Sequence, residues 1–240
     1  NGRAFVAQDG SVIDLGTFAG GSWSAGYSIN NNGQVAGYAM RQNGTFQAFL
    51  WSQSTGLAAI DGLGGVNSYA MSVNDSGQVA GSAQVASGYV HAFLSSNGTT
   101  KDLGTLGGGS SYGYGINGAG DVVGYSWTRF GDTHAFLFHD GVLYDLNALL
   151  KTQGWVLTEA YGINDIGQIV GSGWIGGEQH AFRLDPATAP VIALRTAAFD
   201  AAPADVPEPS TTMLVLLPLA GLLALRTKRF LRDGSGRQHL

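Results

Sequence analysis

The sequence predicts an all-β fold, a β-propeller-like array of four-stranded antiparallel repeats of about 44 residues each. The dipeptide Ala-Phe recurs at 4–5, 48–49, 92–93, 135–136 and 181–182. A second motif keeps the same spacing, as INNNGQVAG (29–37), VNDSGQVAG (73–81), INGAGDVVG (116–124) and INDIGQIVG (163–171). Glycine accounts for 38 of the 240 residues, which is typical of a chain with many tight turns between short strands.

Each repeat reads as four short strands. In the third copy the strands are HAFLSS (91–96), KDLGTL (101–106), YGYGIN (112–117) and DVVGYSW (121–127), and the segment GGGS follows the second of them. Short apolar runs bounded by glycine-rich turns are typical of antiparallel strands. We therefore predict a four-stranded antiparallel meander in each repeat, and no helical period before residue 185.

Two kinds of turn recur inside the repeats. Asp9-Gly10, Asn97-Gly98 and Asp140-Gly141 occupy the same offset after Ala-Phe, and such pairs favour type I′ hairpin turns. In the second motif, Asn and Gly stand at the first and fourth positions of a predicted type I turn. Both predictions depend only on local chain conformation.

Two other all-β folds fit a repetitive chain, namely a β-sandwich and a stacked β-solenoid. Four strands in each unit are too many for one solenoid coil, so the propeller is the favoured interpretation. The chain has five Ala-Phe strands and four copies of the second motif, and it opens on Asn1. We interpret it as an N-terminally incomplete fragment of an array of roughly six to eight blades.

Composition divides the chain into four segments. All six prolines lie at or after Pro186, so residues 1–185 are predicted to hold the β repeats. The repeats run over 4–47, 48–91, 92–134 and 135–180, with a partial one at 181–185. Residues 186–205 are predicted to be an Ala/Pro linker, 206–229 a hydrophobic C-terminal segment, and 230–240 a short polar tail.

The body of the protein is acidic. Residues before 206 include 7 Lys or Arg and 15 Asp or Glu, which gives a net charge of −8. An acidic body repels phosphate backbones, so nucleic acid is not an expected partner. The chain has no cysteine, which excludes disulfides, thiolate zinc sites and cysteine nucleophiles.

The repeats resemble the HAF family of extracellular repeats. The resemblance rests on HAF at 91–93, 134–136 and 180–182, on KDLGTLGG (101–108) and on the repeated IN-x-x-G-x-VVG, and it covers about residues 3–184. The second copy departs from the pattern with Ala59 where the other copies have Asp. Membership implies an exported, surface-associated protein, and it implies no catalytic residues.

The C-terminal segment VPEPSTTMLVLLPLAGLLALRTKR joins three features in a fixed order. Thr211–Leu225 is an apolar run, predicted to be a hydrophobic helix about 22 Å long, which is short for a bilayer core of about 30 Å. Pro207, Glu208 and Pro209 precede it. The basic residues Arg226, Lys228 and Arg229 follow it and hold that end in the cytoplasm by the positive-inside rule.

This order closely resembles the PEP-CTERM sorting signal. The resemblance implies that Pro207-Glu208-Pro209 is recognised by an exosortase in the inner membrane of a Gram-negative bacterium. The protein would then be anchored transiently in that membrane, cleaved, and passed to the cell surface or the extracellular matrix. An ordinary tail anchor is the alternative, and the extension 230–240 departs from the usual end of such signals.

Two sets of repeated polar residues have structural and functional interpretations. His91, His134 and His180 stand in equivalent places, which favours a structural or hydrogen-bonding role over a shared active site or a zinc site. Asp14, Asp102 and Asp145 also recur, and we expect each carboxylate to cap a neighbouring turn. The alternative is that these acids bind calcium, since carboxylate oxygens are calcium ligands. No other cofactor is expected.

Catalysis and binding point to different residues. Glu159 and Glu178 are the only glutamates of the body and the best candidates for acid–base chemistry, although no catalytic motif accompanies them. Aromatic rings at strand ends could stack on sugars. The candidates for glycan binding are Trp127, Trp155 and Trp174. Further aromatic residues of this kind are Trp23, Trp51, Tyr27, Tyr69, Tyr112 and Tyr161. The alternative role for all of them is packing between blades.

The leading hypothesis is a non-enzymatic exported repeat protein that binds extracellular polysaccharide or the cell-surface matrix. A secreted propeller-type polysaccharide hydrolase or lyase is one alternative. A structural or protein-interaction scaffold is the other.

Overall fold

The computed structural model describes residues 2–150 and 153–186, together with the backbone of 212–216 and 224–229. In these residues the fold is all-β, with a single short helix. The strands form a series of antiparallel sheets in chain order, which confirms the all-β class and the four-stranded antiparallel sheets predicted from the sequence.

Nineteen strands and one helix make up the described chain. Their bounds are β1 (Phe5–Gln8), β2 (Ser11–Asp14), β3 (Ser24–Ile29), β4 (Val35–Met40), β5 (Phe46–Ser52), β6 (Gly56–Ala59), β7 (Gly64–Val73), β8 (Val79–Val85), β9 (Val90–Ser96), β10 (Thr99–Asp102), β11 (Gly107–Ile116), β12 (Val122–Thr128), β13 (Thr133–His139), β14 (Val142–Asp145), α1 (Leu146–Leu149), β15 (Trp155–Ile163), β16 (Ile169–Ile175), β17 (Glu178–Pro186), β18 (Thr212–Leu216) and β19 (Ala224–Arg229).

Consecutive strands pair as meanders. Sheet 1 contains β3 to β6, sheet 2 contains β7 to β10, and sheet 3 contains β11 to β14. Sheet 4 begins with β15, β16 and β17, whereas β1 and β2 form a separate two-stranded sheet. In each full sheet the Ala-Phe pair lies in the third strand. The sheets are therefore offset by half a unit from the predicted repeat bounds, which begin at Ala-Phe and contain two strands from each of two sheets.

The three hairpins β1–β2, β9–β10 and β13–β14 close as predicted. Asp9, Asn97 and Asp140 have φ of 50°, 51° and 48°, and the glycine after each also has a positive φ. Two consecutive residues with positive φ are the signature of a type I′ turn. The Asp-Gly and Asn-Gly pairs thus set the twist of these hairpins.

The asparagine of the second motif links one sheet to the next. Asn74 Oδ1 accepts the backbone N–H groups of Ser76 and Gln78, which closes the turn between the first two strands of sheet 2. Its Nδ2 donates to the backbone carbonyl of Asn117 in sheet 3, at 2.9 Å. Asn30 makes the same bond to Asn74 O, and Asn117 makes a longer one to Asn164 O. The four asparagines form a ladder along the array.

The hydrophobic core lies between successive sheets. The alanine and the phenylalanine of each Ala-Phe pair point to opposite faces of the strand because they are neighbours in sequence. Ala48 of sheet 1 therefore packs with Val79 and Phe93 of sheet 2, and Ala92 of sheet 2 packs with Phe136 of sheet 3. We call the face that carries the alanine the forward face of each sheet.

The glycine in the second strand is required by the phenylalanine beside it. A Cβ added to Gly124 would lie 1.9 Å from the carbonyl oxygen of Tyr112 and 3.0 Å from the ring of Phe136. The phenylalanine ring thus lies over the glycine of its own sheet, and the same arrangement recurs in the other sheets. The V-x-G strand and the Ala-Phe strand fit together as one unit.

The fourth copy departs from the others through a short helix that the sequence did not predict. The Asp145 side chain accepts the N–H of Asn147 at the start of α1, and Leu146 and Leu149 of this helix are buried. Asn147 then bonds both the N–H and the carbonyl of Leu157. The helix therefore replaces the glycine-rich connection that enters the first strand of the other sheets.

The predicted hydrophobic helix at Thr211–Leu225 is wrong for the part of that segment that the structure describes. Thr212–Leu216 and Ala224–Arg229 are strands, and β19 pairs with β17 from Phe182↔Arg229 to Pro186↔Leu225. The free edge of β17 offers unpaired backbone groups that a strand can satisfy. Within the described residues, no helix has the length and apolar character needed to span a membrane.

Candidate functional site

Aromatic side chains of sheet 1 gather with one tyrosine from the first strand of sheet 2. The rings of Tyr27 and Tyr38 stack with centroids 5.2 Å apart, and their hydroxyl groups lie 2.9 Å from each other. Tyr69 of sheet 2 meets Tyr38 edge to face at 4.7 Å. Trp23 and Phe46 complete the group at one end of the strands. The cluster joins two sheets and keeps half of the Tyr27 surface exposed.

A second aromatic group spans sheets 3 and 4. Tyr112 and Tyr125 stack with centroids 4.8 Å apart, and Tyr114 lies between Tyr125 and Tyr161 at 5.6 and 5.9 Å. The Tyr161 hydroxyl donates to the carboxylate of Glu159. Tyr161 is 50% exposed, so this group also opens to solvent.

A β-bulge that recurs in sheets 1 to 4 sets the direction of some of these tyrosine side chains. The pairing of the first and second strands shifts by one residue in all four sheets, between Gly26 and Ser28 in sheet 1 and between Gly113 and Gly115 in sheet 3. A bulge leaves one residue unpaired and redirects its side chain. The bulged residues are Tyr27, Met71, Tyr114 and Tyr161. Three of the four repeats thus present a tyrosine from the same slot.

Burial and hydrogen bonding raise the pKa of several phenols in the two groups. Burial, and then the hydrogen bond with Tyr27, raises the pKa of Tyr38 to about 12. Burial also raises the pKa of Tyr125 and of Tyr114. The hydrogen bond to Glu159 raises the pKa of Tyr161. These hydroxyl groups are therefore neutral donors and acceptors, suited to hydrogen bonding with uncharged polar ligands.

The three tryptophans predicted to bind glycans lie in two different environments. Trp127 and Trp174 are 45% and 46% exposed, and each stands three residues after the glycine of a second strand. They therefore occupy the same slot of sheets 3 and 4. Trp155 is 8% exposed and packs in the core beside Leu157 and Phe182. Trp155 consequently offers no free ring face to a sugar.

The sequence had singled out Tyr27, Tyr69, Tyr112 and Tyr161, and these lie in the two aromatic groups. Tyr38, Tyr114 and Tyr125 belong to the same groups and were missed. Tyr114 keeps the same offset before the motif asparagine as Tyr27 and Tyr161, so alignment of the repeats could have identified it. Trp51 is buried in the core of sheet 1.

Two of the three recurrent histidines pair with recurrent aspartates. His91 Nδ1 lies 2.8 Å from Asp102 Oδ2, and His134 Nδ1 lies 2.7 Å from Asp145 Oδ2. The other oxygen of Asp102 accepts the N–H of Gly104 and so caps the following turn. The predicted hydrogen-bonding role is confirmed for His91 and His134, whereas His180 has no hydrogen bond to an aspartate in the described residues. Asp14, Asp102 and Asp145 each accept the backbone N–H two residues later, so the capping role predicted for these acids is confirmed.

The pairing explains why the second copy lacks the acid. In the first copy Arg3 lies 3.5 Å from Asp14, so a cation again faces the carboxylate. In the second copy the cationic slot holds Gln47, whose Nε2 donates to the carbonyl of Ile60. Ala59 occupies the slot of the acid there. The two slots therefore change together.

The two glutamates of the body make separate contacts. Glu159 accepts from Tyr161, whereas Glu178 lies 3.5 Å from His180 Nε2 and is largely exposed. In the parts of the chain that the structure describes, no three His, Asp or Glu side chains gather at one point as metal ligands.

The predicted sorting motif lies mostly outside the described residues. Pro207, Glu208, Pro209 and Thr211 are not among those residues, whereas Leu225, Arg226, Lys228 and Arg229 fall in β19. The structure therefore leaves the sorting signal as a prediction from the sequence.

No family model matches the chain, and no curated protein matches it either.

Proposed function

We propose that the protein is a non-enzymatic, exported repeat protein that binds extracellular polysaccharide through exposed aromatic rings. The observation that carries this proposal is the pair Trp127 and Trp174. They occupy the same slot of adjacent sheets and expose nearly the same fraction of their surface. Adjacent sheets pack about 10 Å apart. Both rings project from the forward faces of their sheets, which also carry Ala135 and Ala181. Sheet 4 therefore lies between the two rings, and an extended polysaccharide would contact them at successive sheets.

The neighbouring tyrosines support the same proposal. Tyr125 lies two residues before Trp127 on the same face of β12, since side chains alternate along a strand. Neutral hydroxyl groups beside aromatic faces suit sugars, which combine apolar ring faces with many hydroxyl groups. Acidic residues dominate the charge of the body, so an uncharged glycan is favoured over a polyanionic one.

In this proposal the four sheets are blades of a β-propeller-like array. Support comes from the way neighbouring sheets meet. The first strand of sheets 2, 3 and 4 contacts the first, second and third strands of the preceding sheet. When sheets are arranged around an axis, the strand nearest the axis is expected to contact several strands of the preceding sheet. The first strand of each sheet would be this innermost strand.

Export and sorting complete the proposal. The order of Pro207-Glu208-Pro209, apolar segment and Arg226-Lys228-Arg229 resembles a PEP-CTERM signal, so an exosortase would release the repeats to the cell surface. Changing the three motif residues to alanine should keep the full-length chain in the membrane fraction of the producing bacterium. Release of the variant at the normal rate would contradict exosortase processing.

The binding proposal is tested by incubating the full chain with exopolysaccharide and measuring both co-sedimentation and released reducing ends. Co-sedimentation without new reducing ends supports a binding module. New reducing ends that disappear in Glu159→Gln would instead identify a hydrolase. If neither signal is observed, the polysaccharide proposal fails and a scaffold role replaces it.

A further inference from the structure

A groove lies beside β1, at the start of the described array. The strands β1 and β2 correspond to the third and fourth strands of a full sheet, because Ala4-Phe5 and the turn at Asp9-Gly10 match the same features of sheets 2 and 3. In every full sheet a second strand pairs with the Ala-Phe strand. Among the described strands, only β2 pairs with β1.

Apolar residues that are covered elsewhere are exposed in this groove. Phe5 is 62% exposed, whereas Phe49 and Phe93, its equivalents in sheets 1 and 2, are fully buried. Ile29 of sheet 1 is 60% exposed, whereas Val73, its equivalent in sheet 2, is 7% exposed. A cavity of about 340 Å³ is lined by residues that include Phe5, Gly26, Ile29 and Val35.

The internal junctions show what covers these positions. In sheet 1 the ring of Phe49 lies over Gly37 of the second strand. Val73 of sheet 2 packs against Ala36, the residue before that glycine. One second strand therefore covers both the phenylalanine of its own sheet and the aliphatic residue of the following sheet. A strand with the pattern V-x-G beside β1 would cover Phe5 and Ile29 in the same way.

The turn before such a strand would also find its partner. Asn30 and Asn74 each donate a side-chain amide hydrogen to the motif asparagine of the following sheet. Asn30 is the first asparagine of the described ladder, and its carbonyl group is in the place that accepts this bond in sheets 2 and 3. A second cavity of about 480 Å³ adjoins it and is lined in part by Asn31, Asn32 and Gly33.

We propose that this groove binds a β-hairpin of the repeat's own type. The occupant is a first and second strand joined by N-x-x-G, with a V-x-G second strand that pairs with the free edge of β1. Strand addition to an open edge is a known mode of recognition, in which main-chain bonds supply affinity and side-chain fit supplies specificity. Here the specificity lies in the glycine that must fit beneath Phe5.

The proposal is tested by supplying the hairpin within the same chain. Residues 107–131 contain β11, β12 and the turn that follows, and Asp132 corresponds to Asn1 in the repeat. Placing a copy of 107–131 directly before Asn1 of the full chain preserves the natural spacing. We expect the melting temperature to rise by about 4 °C or more, since new apolar surface becomes buried.

Two variants distinguish docking in the groove from a general effect of the added segment. Ile29→Lys should change the melting temperature of the natural chain by about 1 °C or less, because Ile29 is exposed there. It should remove most of the gain in the extended chain. Ile166→Lys is the matched control, since Ile166 is 67% exposed in a turn of sheet 4, and it should behave alike in both chains.

An unchanged melting temperature in the extended chain would overturn the proposal. So would equal effects of Ile29→Lys in the natural and extended chains. The added copy carrying Gly124→Val should give no gain, because the side chain would clash with the ring of Phe5. If the natural chain self-associates in light scattering and Ile29→Lys abolishes this, the groove holds a second copy rather than a hairpin, and the proposed occupant is wrong.

Discussion

The asparagine ladder predicts a stability difference between two equivalent residues. Asn74 is 6% exposed, and its side chain makes four hydrogen bonds, two with turn N–H groups, one with Gln78 Oε1 and one with Asn117 O. A buried hydrogen bond contributes about 1 kcal/mol net, and groups left unpaired raise the cost of its loss. Asn74→Ala should therefore lower the free energy of unfolding by about 3 kcal/mol.

Asn164 provides the matched control. It stands in the same motif, but it is exposed, and its side chain contacts only the backbone and side chain of Gln168 in the described residues. Asn164→Ala should cost about 1 kcal/mol, since water replaces bonds at an exposed turn. Urea denaturation of the full chain, followed by tryptophan fluorescence, measures both losses. Equal losses at the two positions would refute the claim that the inter-sheet bond stabilises the array.

A second variant separates the turn from the inter-sheet bond. Asn74→Asp keeps an oxygen that can accept the N–H groups of Ser76 and Gln78, but it replaces the amide that donates to Asn117. The new oxygen would face the carbonyl oxygen of Asn117 at hydrogen-bonding distance. We expect a loss of about 2 kcal/mol or more. A loss near zero would mean that the turn alone accounts for the role of the asparagine.

Three further predictions follow from the core and the aromatic groups. Gly124→Ala should destabilise the protein by about 3 kcal/mol, because the backbone of Tyr112 blocks the new methyl group, whereas Gly62→Ala should be nearly neutral. Thermal unfolding compares the two variants, and equal changes in melting temperature would contradict the close packing at Gly124. The pKa of Tyr38 is raised to about 12, so the stability that this shift contributes is present below pH 10 and is lost as the pH rises toward 12. In alkaline denaturation, Tyr38→Phe should reduce this loss of stability, and an unchanged dependence of stability on pH would be evidence against the role of Tyr38. Trp155→Ala should lower the free energy of unfolding in urea by about 3 to 5 kcal/mol, because the indole is buried. A loss under about 1 kcal/mol would show that the indole is not part of the core.

Local sequence signals predicted the elements of this fold well. The type I′ turn at Asn97-Gly98 and the turn that starts at Asn74 depend on residues adjacent in sequence, and both are present. Local signals could not show where each sheet begins within the repeat. A linker between two sheets and a loop within one sheet have similar glycine-rich sequences. Only contacts between distant residues determine which strands pair.

The candidate site was predicted in part. Exposed tryptophans such as Trp127 were identified, but burial of Trp155 depends on α1, whose four residues carry no helical period. The tyrosine groups depend on a bulge that shifts strand pairing by one residue, and no residue type marks such a bulge by itself. The inter-sheet bond of the motif asparagine was missed for the same reason, since its acceptor lies about one repeat away in sequence.

The central proposal is that Trp127 and Trp174 are equivalent sugar-binding positions on successive sheets. The most direct measurement is the affinity of the full chain for exopolysaccharide in Trp127→Ala, Trp174→Ala and the double variant, with Phe130→Ala as an exposed aromatic control. Each tryptophan variant should weaken binding about tenfold, which corresponds to about 1.4 kcal/mol, and the control should bind normally. Unchanged affinity in the double variant, with the fold intact, would contradict the account.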